Sequence, residues 1–466
     1  MAQPFKSHKK TLGFFQLVMI NVIAVDSIRT LPFSAVYGYS LIFFYLAAAI
    51  SFFIPTALVS AELGTGWPTR GGIYVWVREA FGKRMGFAII WLNWIYNIIW
   101  YPTIMALIAG TFTYFFNPQL ADNTLYMCVS VLLLFWGATL LNCLGMKASS
   151  VLSTLGALIG TILPMVLITV LGIAWVVQGN PLQIQFSWNQ LLPDASQSSN
   201  LAFLTNVLFG LLGLEMSATH AAEMRSPTKD YPRSLAVSCI IILCTIVFAS
   251  LAIAIVVPSR ELSLVVGVMQ AFAILVEAYH IPWMLSLIAG FIVLGGLSAV
   301  GAWIIGPTKG LLVACHDGSL PKVLGKTNKK DVPVRILILQ AVIVSVLSLA
   351  FLLMPTINSS FWLLSAMTAQ LALLVYVALF AAALKLYYHQ PHVYRHFRVP
   401  GKEVGMWTVC GLGIACCTTV ILFGFIPPSQ VPVGSIFSYE LTLILGMLIC
   451  CAAPFYLYRL HSRRSR

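Results

Sequence analysis

Long apolar segments separated by short polar ones dominate the chain. Twelve of these segments are long enough, at about 20 residues each, to cross the hydrocarbon core of a bilayer as helices. Numbered in chain order as spans one to twelve, they lie at residues 12–36, 39–62, 86–116, 124–144, 150–178, 200–222, 235–257, 282–314, 335–354, 360–388, 406–426 and 433–458. The pattern predicts an all-α polytopic membrane protein with twelve transmembrane helices.

Two of the predicted spans are interrupted. Span one contains VDSIRTLP, in which Asp26 precedes Pro32, a residue that removes a backbone donor and favours a kink or an unwound segment just before it. In span six, Gly210 and Gly213 weaken the helix just before Glu215. A carboxylate inside the bilayer costs about 2.5–3.5 kcal/mol, so an acid at a helix break is a candidate functional residue. Paired breaks separated by four spans favour two inverted repeats of five helices that meet at one cavity.

Asp26 and Arg29 stand three residues apart in span one. On a continuous helix this spacing permits an ion pair that neutralises both charges. Such a pair is either structural or part of a substrate pathway, and the sequence leaves both open.

Span three carries a polar stripe on one helix face. Asn93, Tyr96, Asn97 and Tyr101 follow the spacing i, i+3, i+4 and i+8. This face either lines the cavity or forms a hydrogen-bond seam between helices. In span eight, Trp303 lies among several glycines and is either a cavity wall or a core filler.

Composition and charge agree with a membrane protein. Hydrophobic residues make up 59% of the chain and charged residues 9%, against about 25% charged in soluble domains. The net charge is +13, and with the N-terminus inside, all lysines and arginines except Arg29 and Arg260 fall in cytoplasmic ends and loops. We therefore expect both termini in the cytoplasm, with anionic lipid as the partner of this charge and no nucleic acid.

Enzymatic chemistry has no support in the sequence. No HExxH, GxSxG, phosphate-cradling glycine loop or metal-ligand cluster is present, and the ten cysteines include no CxxC pair. We expect no catalytic residue, cofactor or metal.

Several motifs together resemble one known family. They are GLEMSATHAAEMRSPTKDYP at 213–232, AELGTGWPTRGGIYVWV at 61–77, AWIIGPTKG at 302–310 and FRVPG at 397–401. The chain resembles the amino acid/polyamine/organocation (APC) superfamily and, within it, the bacterial glutamate/γ-aminobutyrate antiporter group. The resemblance implies the five-plus-five inverted-repeat fold of leucine transporters, with repeats at 12–178 and 200–388 and two additional C-terminal helices at 406–458. Residues 1–11 and 459–466 would be cytoplasmic.

The resemblance also implies a substrate site between spans one, three, six, eight and ten. The implied substrate-binding residues are Val25, Asp26, Ser27, Asn93, Asn97, Tyr101, Phe209, Gly210, Gly213 and Trp303. Backbone groups of the span-one break would hold the substrate carboxylate, and those of the span-six break the amino group. Glu215 resembles a gating glutamate of related exchangers, and His220 and Asp26 are further candidates for gating or proton coupling. Where many relatives have small residues in the first break, this chain has Val-Asp-Ser, and Asp26 with Glu215 favours a cationic substrate.

The expected function is secondary active transport. The protein would exchange amino acids, or an amino acid for its decarboxylated amine, across the bacterial inner membrane by alternating access. Proton-coupled uptake of an amino acid or polyamine is an alternative, and a membrane sensor that binds without transporting belongs to a different class. The oligomeric state, monomer or homodimer, is left open.

Overall fold

The computed structural model describes residues 13–67, 72–144, 155–193, 201–216, 227–316, 318–321, 323–330 and 332–462. Every regular element in these ranges is helical, and eleven helices are long and apolar enough to cross a membrane. They correspond to predicted spans one to five and seven to twelve, with bounds Phe14–Ala35, Gly38–Gly66, Lys83–Phe115, Thr124–Cys143, Leu155–Val177, Asp230–Val256, Trp283–His316, Val334–Leu353, Ile357–His389, Lys402–Phe423 and Ile436–Leu460. The described part of span six is the shorter apolar segment Leu201–Met216. The chain is a polytopic, multi-pass membrane protein.

Span one breaks at Asp26 and Ser27. The helix Phe14–Val25 ends there, because both residues have extended backbone angles, and the chain resumes as the 3-10 turn Ile28–Thr30. The break lies earlier than the position just before Pro32 that the proline favoured, and it falls within the segment Val25–Ser27 that the family resemblance implied. Pro32 instead sits in the first turn of the next helix, where its missing N–H needs no intrahelical partner.

Span six also breaks where the glycines predicted it. The helix Leu204–Phe209 gives way to a turn at Gly210, and Gly213 has a φ of +114°, a conformation that side chains other than glycine rarely adopt. The broken backbone of span six therefore lies directly before Glu215.

Span three packs against both span eight and span ten at the centre of the bundle, and span one packs against span seven. Span five lies very close to span eight at Gly160, where a Cβ would lie 2.2 Å from the Cα of Gly295. Glycine at both positions lets the two backbones touch, as small residues do in membrane bundles.

Two shorter helices flank the spans. The amphipathic helix Ile73–Phe81 packs against spans three and ten, and the helix Gly267–Ala278 precedes span eight.

Candidate functional site

A cavity of about 250 Å³ lies at the two helix breaks. Its walls come from spans one, three, five, six and eight, with one tyrosine from span ten. Span five is an addition to the spans that the sequence predicted, and its contribution includes Gly160 and Thr161. The two broken segments thus share one central cavity.

The span-one break contributes Val25, Asp26 and Ser27 to the cavity lining. Asp26 is buried, and both of its carboxylate oxygens lie within 3.1 Å of the hydroxyl oxygen of Thr245 in span seven. That hydroxyl also lies 3.0 Å from two backbone carbonyls of its own helix. Because a hydroxyl carries one proton, Thr245 donates either to Asp26 or to its own helix.

Arg29 also lines the cavity, but it forms no ion pair with Asp26. Its Nη1 donates to the hydroxyl of Ser365 at 3.0 Å, and its guanidinium lies 5.0 Å from the ring centre of Phe209 and 5.9 Å from that of Phe361. The ion pair considered from the sequence assumed a continuous helix. The extended backbone at the break removes the i, i+3 geometry. The alternative of an ion pair between Asp26 and Arg29 is therefore wrong.

The span-six break contributes Phe209, Gly210, Gly213 and Glu215. The Gly213 N–H donates to the hydroxyl of Tyr376 in span ten at 2.8 Å, and that hydroxyl donates to the Glu215 carboxylate at 2.6 Å. One tyrosine therefore links the broken backbone to the buried acid.

The polar stripe of span three is only partly at the cavity. Asn97 lines it, whereas Asn93 and Tyr101 are not among the lining residues. The Asn93 carbonyl accepts a hydrogen bond from Asn97 at 2.7 Å, and the Tyr101 hydroxyl donates to the backbone carbonyl of Trp303 at 3.0 Å. Asn93 and Tyr101 thus support two residues that do line the cavity, Asn97 and Trp303. His220 lies outside the described residues.

Sequence reasoning missed other lining residues. Tyr96 lines the cavity and belongs to the polar stripe of span three, but it was not among the predicted substrate-binding residues. Trp100 also lines the cavity and faces Trp303 with ring centres 6.3 Å apart, but its sequence context is that of an ordinary apolar residue. Tyr376 and Thr161 stand in ordinary apolar runs with no local signal. The i, i+4 spacing identifies a face, but the rotation of the helix decides which of its residues reach the cavity.

A bundle of apolar helices whose two broken members meet at a central cavity is the architecture of a membrane transporter. The chain belongs to the amino acid permease family, whose sequence model matches residues 12–449. The resemblance inferred from the motifs is thereby confirmed.

Three relatives show where the chain stands within this family. It is 52% identical over 98% of both chains to a transporter of Legionella pneumophila named as uncharacterized. It is 30% identical to the glutamate/gamma-aminobutyrate antiporter of Lactococcus lactis, over 97% of this chain and 90% of that one. It is 24% identical to a probable agmatine/putrescine antiporter of Lactococcus lactis, over 90% of this chain and 89% of that one. These relatives are transporters and not enzymes.

Proposed function

We propose that the protein is a secondary active transporter that exchanges one amino acid for another, or for its decarboxylated amine, by alternating access. The observation that carries the proposal is the single cavity bounded by the breaks of spans one and six. Broken helices leave peptide N–H and C=O groups without intrahelical partners, and these groups suit the carboxylate and the ammonium of an amino acid. The names of the relatives from Lactococcus lactis, both antiporters, support exchange.

Each break has a role in this proposal. Peptide groups of Val25, Asp26 and Ser27 bind the substrate carboxylate, and those of 209–213 bind the amino group. Asn97 and Trp303 form the walls, and Asn93 and Tyr101 hold them in place. Glu215 acts as a gate or proton site beside the span-six break.

The proposal also includes the helix count, the repeats and the orientation of the chain in the membrane. Twelve transmembrane helices would form two inverted repeats at 12–178 and 200–388, with the last two helices outside them. The distribution of basic residues supports cytoplasmic termini, and the bacterial relatives support the inner membrane.

Counterflow in proteoliposomes tests exchange directly. Vesicles loaded with an unlabelled amino acid or amine should accumulate the labelled compound from outside, and unloaded vesicles should not. The panel compares glutamate, arginine, ornithine, putrescine and neutral amino acids. An absence of counterflow for every pair would contradict the proposal.

A second candidate is proton-coupled uptake, which the contact between Asp26 and Thr245 favours. When Thr245 donates to its own helix carbonyls, its contact with Asp26 at 3.0 Å is a hydrogen bond only if Asp26 carries a proton. The site thus accommodates Asp26 in both protonation states. Uptake into empty vesicles driven by a proton gradient alone would favour this candidate over obligatory exchange.

A further inference from the structure

Arg29 is a buried cation whose hydrogen-bonding capacity is mostly unused. Its side chain is 1% exposed, and a guanidinium offers five N–H donors. In the described part of the chain only Nη1 has a partner, the hydroxyl of Ser365, while Nε and Nη2 have none. The rings of Phe209 and Phe361 offset only part of the cost of burying the charge.

The other buried arginine among the described residues, Arg395, has the ionic and carbonyl partners that Arg29 lacks. Arg395 forms an ion pair with Glu62 and donates to two backbone carbonyls. Arg29 has no carboxylate within 4 Å among the described residues, although two acids line the same cavity. Asp26 lies against the hydroxyl of Thr245, and Glu215 accepts a hydrogen bond from Tyr376. The positive charge at the cavity therefore lacks a protein anion.

The unused donors have a specific geometry. Nε and Nη2 form one edge of the planar guanidinium, and an edge of this kind binds both oxygens of a carboxylate in parallel. Arg29 lines the cavity and stands only two residues beyond Ser27, where the span-one break ends. A ligand whose α-carboxylate occupies the break therefore has a second anion-binding group close by.

We propose that Arg29 is a specificity-determining residue that binds a carboxylate on the side chain of the substrate. The inference rests on the proposed exchange function, because it assumes that the α-carboxylate is held by the peptide groups of the span-one break. Arg29 thereby selects acidic amino acids, together with decarboxylated products that keep the side-chain carboxylate. It also reverses the preference for cations that Asp26 and Glu215 suggested from the sequence, since both acids have hydroxyl partners and Arg29 lacks an anion.

Glutamate and glutamine provide a matched pair of probes, because they differ only by an amide in place of the side-chain carboxylate. Binding to the purified full chain is measured by ligand-induced thermal stabilisation, with titrations to obtain the ratio of Kd values. We expect the wild-type protein to bind glutamate at least about tenfold more tightly than glutamine. In Arg29→Gln the ratio should fall to within about twofold, with little change for glutamine.

Two variants separate this role from a structural one. Arg260→Gln makes the same substitution at an exposed arginine outside the cavity and should keep the wild-type ratio. Arg29→Lys keeps the charge but loses the paired edge, so its ratio should fall between those of wild type and Arg29→Gln. Ligand-free Arg29→Gln should unfold at the same or a higher temperature than wild type, because an uncompensated buried charge has been removed. A purely structural arginine would give a lower temperature.

The outcomes are distinct. An unchanged ratio in Arg29→Lys and Arg29→Gln would overturn the inference, as would a wild-type protein that does not discriminate between the two probes. If Arg29→Gln does not fold, an unchanged ratio in Arg29→Lys is sufficient to overturn it. Stabilisation of wild type by chloride added to a low-salt buffer without carboxylates, equal to that by glutamate, would make Arg29 a site for a simple anion and also refute the inference. Because binding is measured without flux, an absence of counterflow together with an Arg29-dependent ratio would refute exchange and leave the inference standing.

Discussion

The ion pair between Arg395 and Glu62 should be one of the most stabilising contacts outside the cavity. It holds the loop 390–401, which follows span ten, against the end of span two. The two side chains are 4% and 2% exposed, and the second carboxylate oxygen of Glu62 accepts the N–H of Val399 at 2.7 Å. The arginine also donates to two carbonyls at the end of span ten and lies 5.2 Å from the ring centre of Trp67. We consider the substitution Arg395→Met, which removes the cation and keeps much of the side-chain volume.

The expected loss follows from the partner that remains. Without Arg395, the Glu62 carboxylate stays buried with the Val399 N–H as its hydrogen-bond donor, and breaking a buried pair in this way costs about 3–5 kcal/mol. Glu62→Gln should cost less, because Arg395 keeps its two carbonyl acceptors. The double variant Arg395→Met with Glu62→Met should cost less than the sum of the single changes Arg395→Met and Glu62→Met, because no unpaired charge remains.

Equilibrium unfolding of the purified protein in detergent measures these free energies. Arg78→Met is the matched control, since Arg78 pairs with Glu79 at 3.2 Å while both side chains are 37% exposed, and its loss should cost about 1 kcal/mol or less. A cost for Arg395→Met no larger than that of this control would refute the reasoning. A double variant that loses as much as the two single variants together would show that the two residues do not stabilise the fold as a pair.

Three further substitutions test the bundle and the cavity. Gly160→Ala places a Cβ 2.2 Å from the Cα of Gly295, so spans five and eight must separate, and thermal unfolding should show a loss of about 1–3 kcal/mol; unchanged stability would contradict the close approach. Tyr376→Phe removes the hydroxyl that binds Glu215 and should slow counterflow and lower stability by about 1–3 kcal/mol, and wild-type values for both would make the hydroxyl dispensable. If Asp26 carries the coupled proton, Asp26→Asn should abolish uptake driven by a proton gradient but retain counterflow. A gradient response that persists in this variant would exclude Asp26 as the proton carrier.

Local features of the sequence predicted the bundle and its breaks. A long apolar run has few alternatives to a transmembrane helix, because unpaired peptide groups are costly in lipid. The span-six break followed from Gly210, Gly213 and the adjacent Glu215, all within six residues. In span one the family resemblance placed the break at Val25–Ser27, whereas the argument from Pro32 alone placed a kink too late. Proline is well tolerated in a first helical turn, and the backbone opened at Asp26 instead.

Contacts between distant residues could not be predicted in this way. Asp26 meets Thr245 from span seven, and Glu215 meets Tyr376 from span ten. These partners lie more than 150 residues apart, and nothing in the runs around Thr245 and Tyr376 marks them. The sequence therefore identified costly groups, but the one partner it could offer Asp26 was the nearest opposite charge, Arg29, because spacing along one helix was the only geometry available.

The two buried arginines show why a costly residue type alone does not reveal its role. Arg395 and Arg29 are both removed from solvent, and burial of a cation is unfavourable at either position. At Arg395 the protein supplies a carboxylate and two carbonyls, so the energetic requirement is met within the fold and substitution should affect stability first. At Arg29 the described chain supplies one hydroxyl and two aromatic faces, and the free guanidinium edge belongs to a residue that lines the cavity. The fold therefore leaves part of the cost at Arg29 for a ligand to offset, and substitution there should change ligand selectivity before it changes stability.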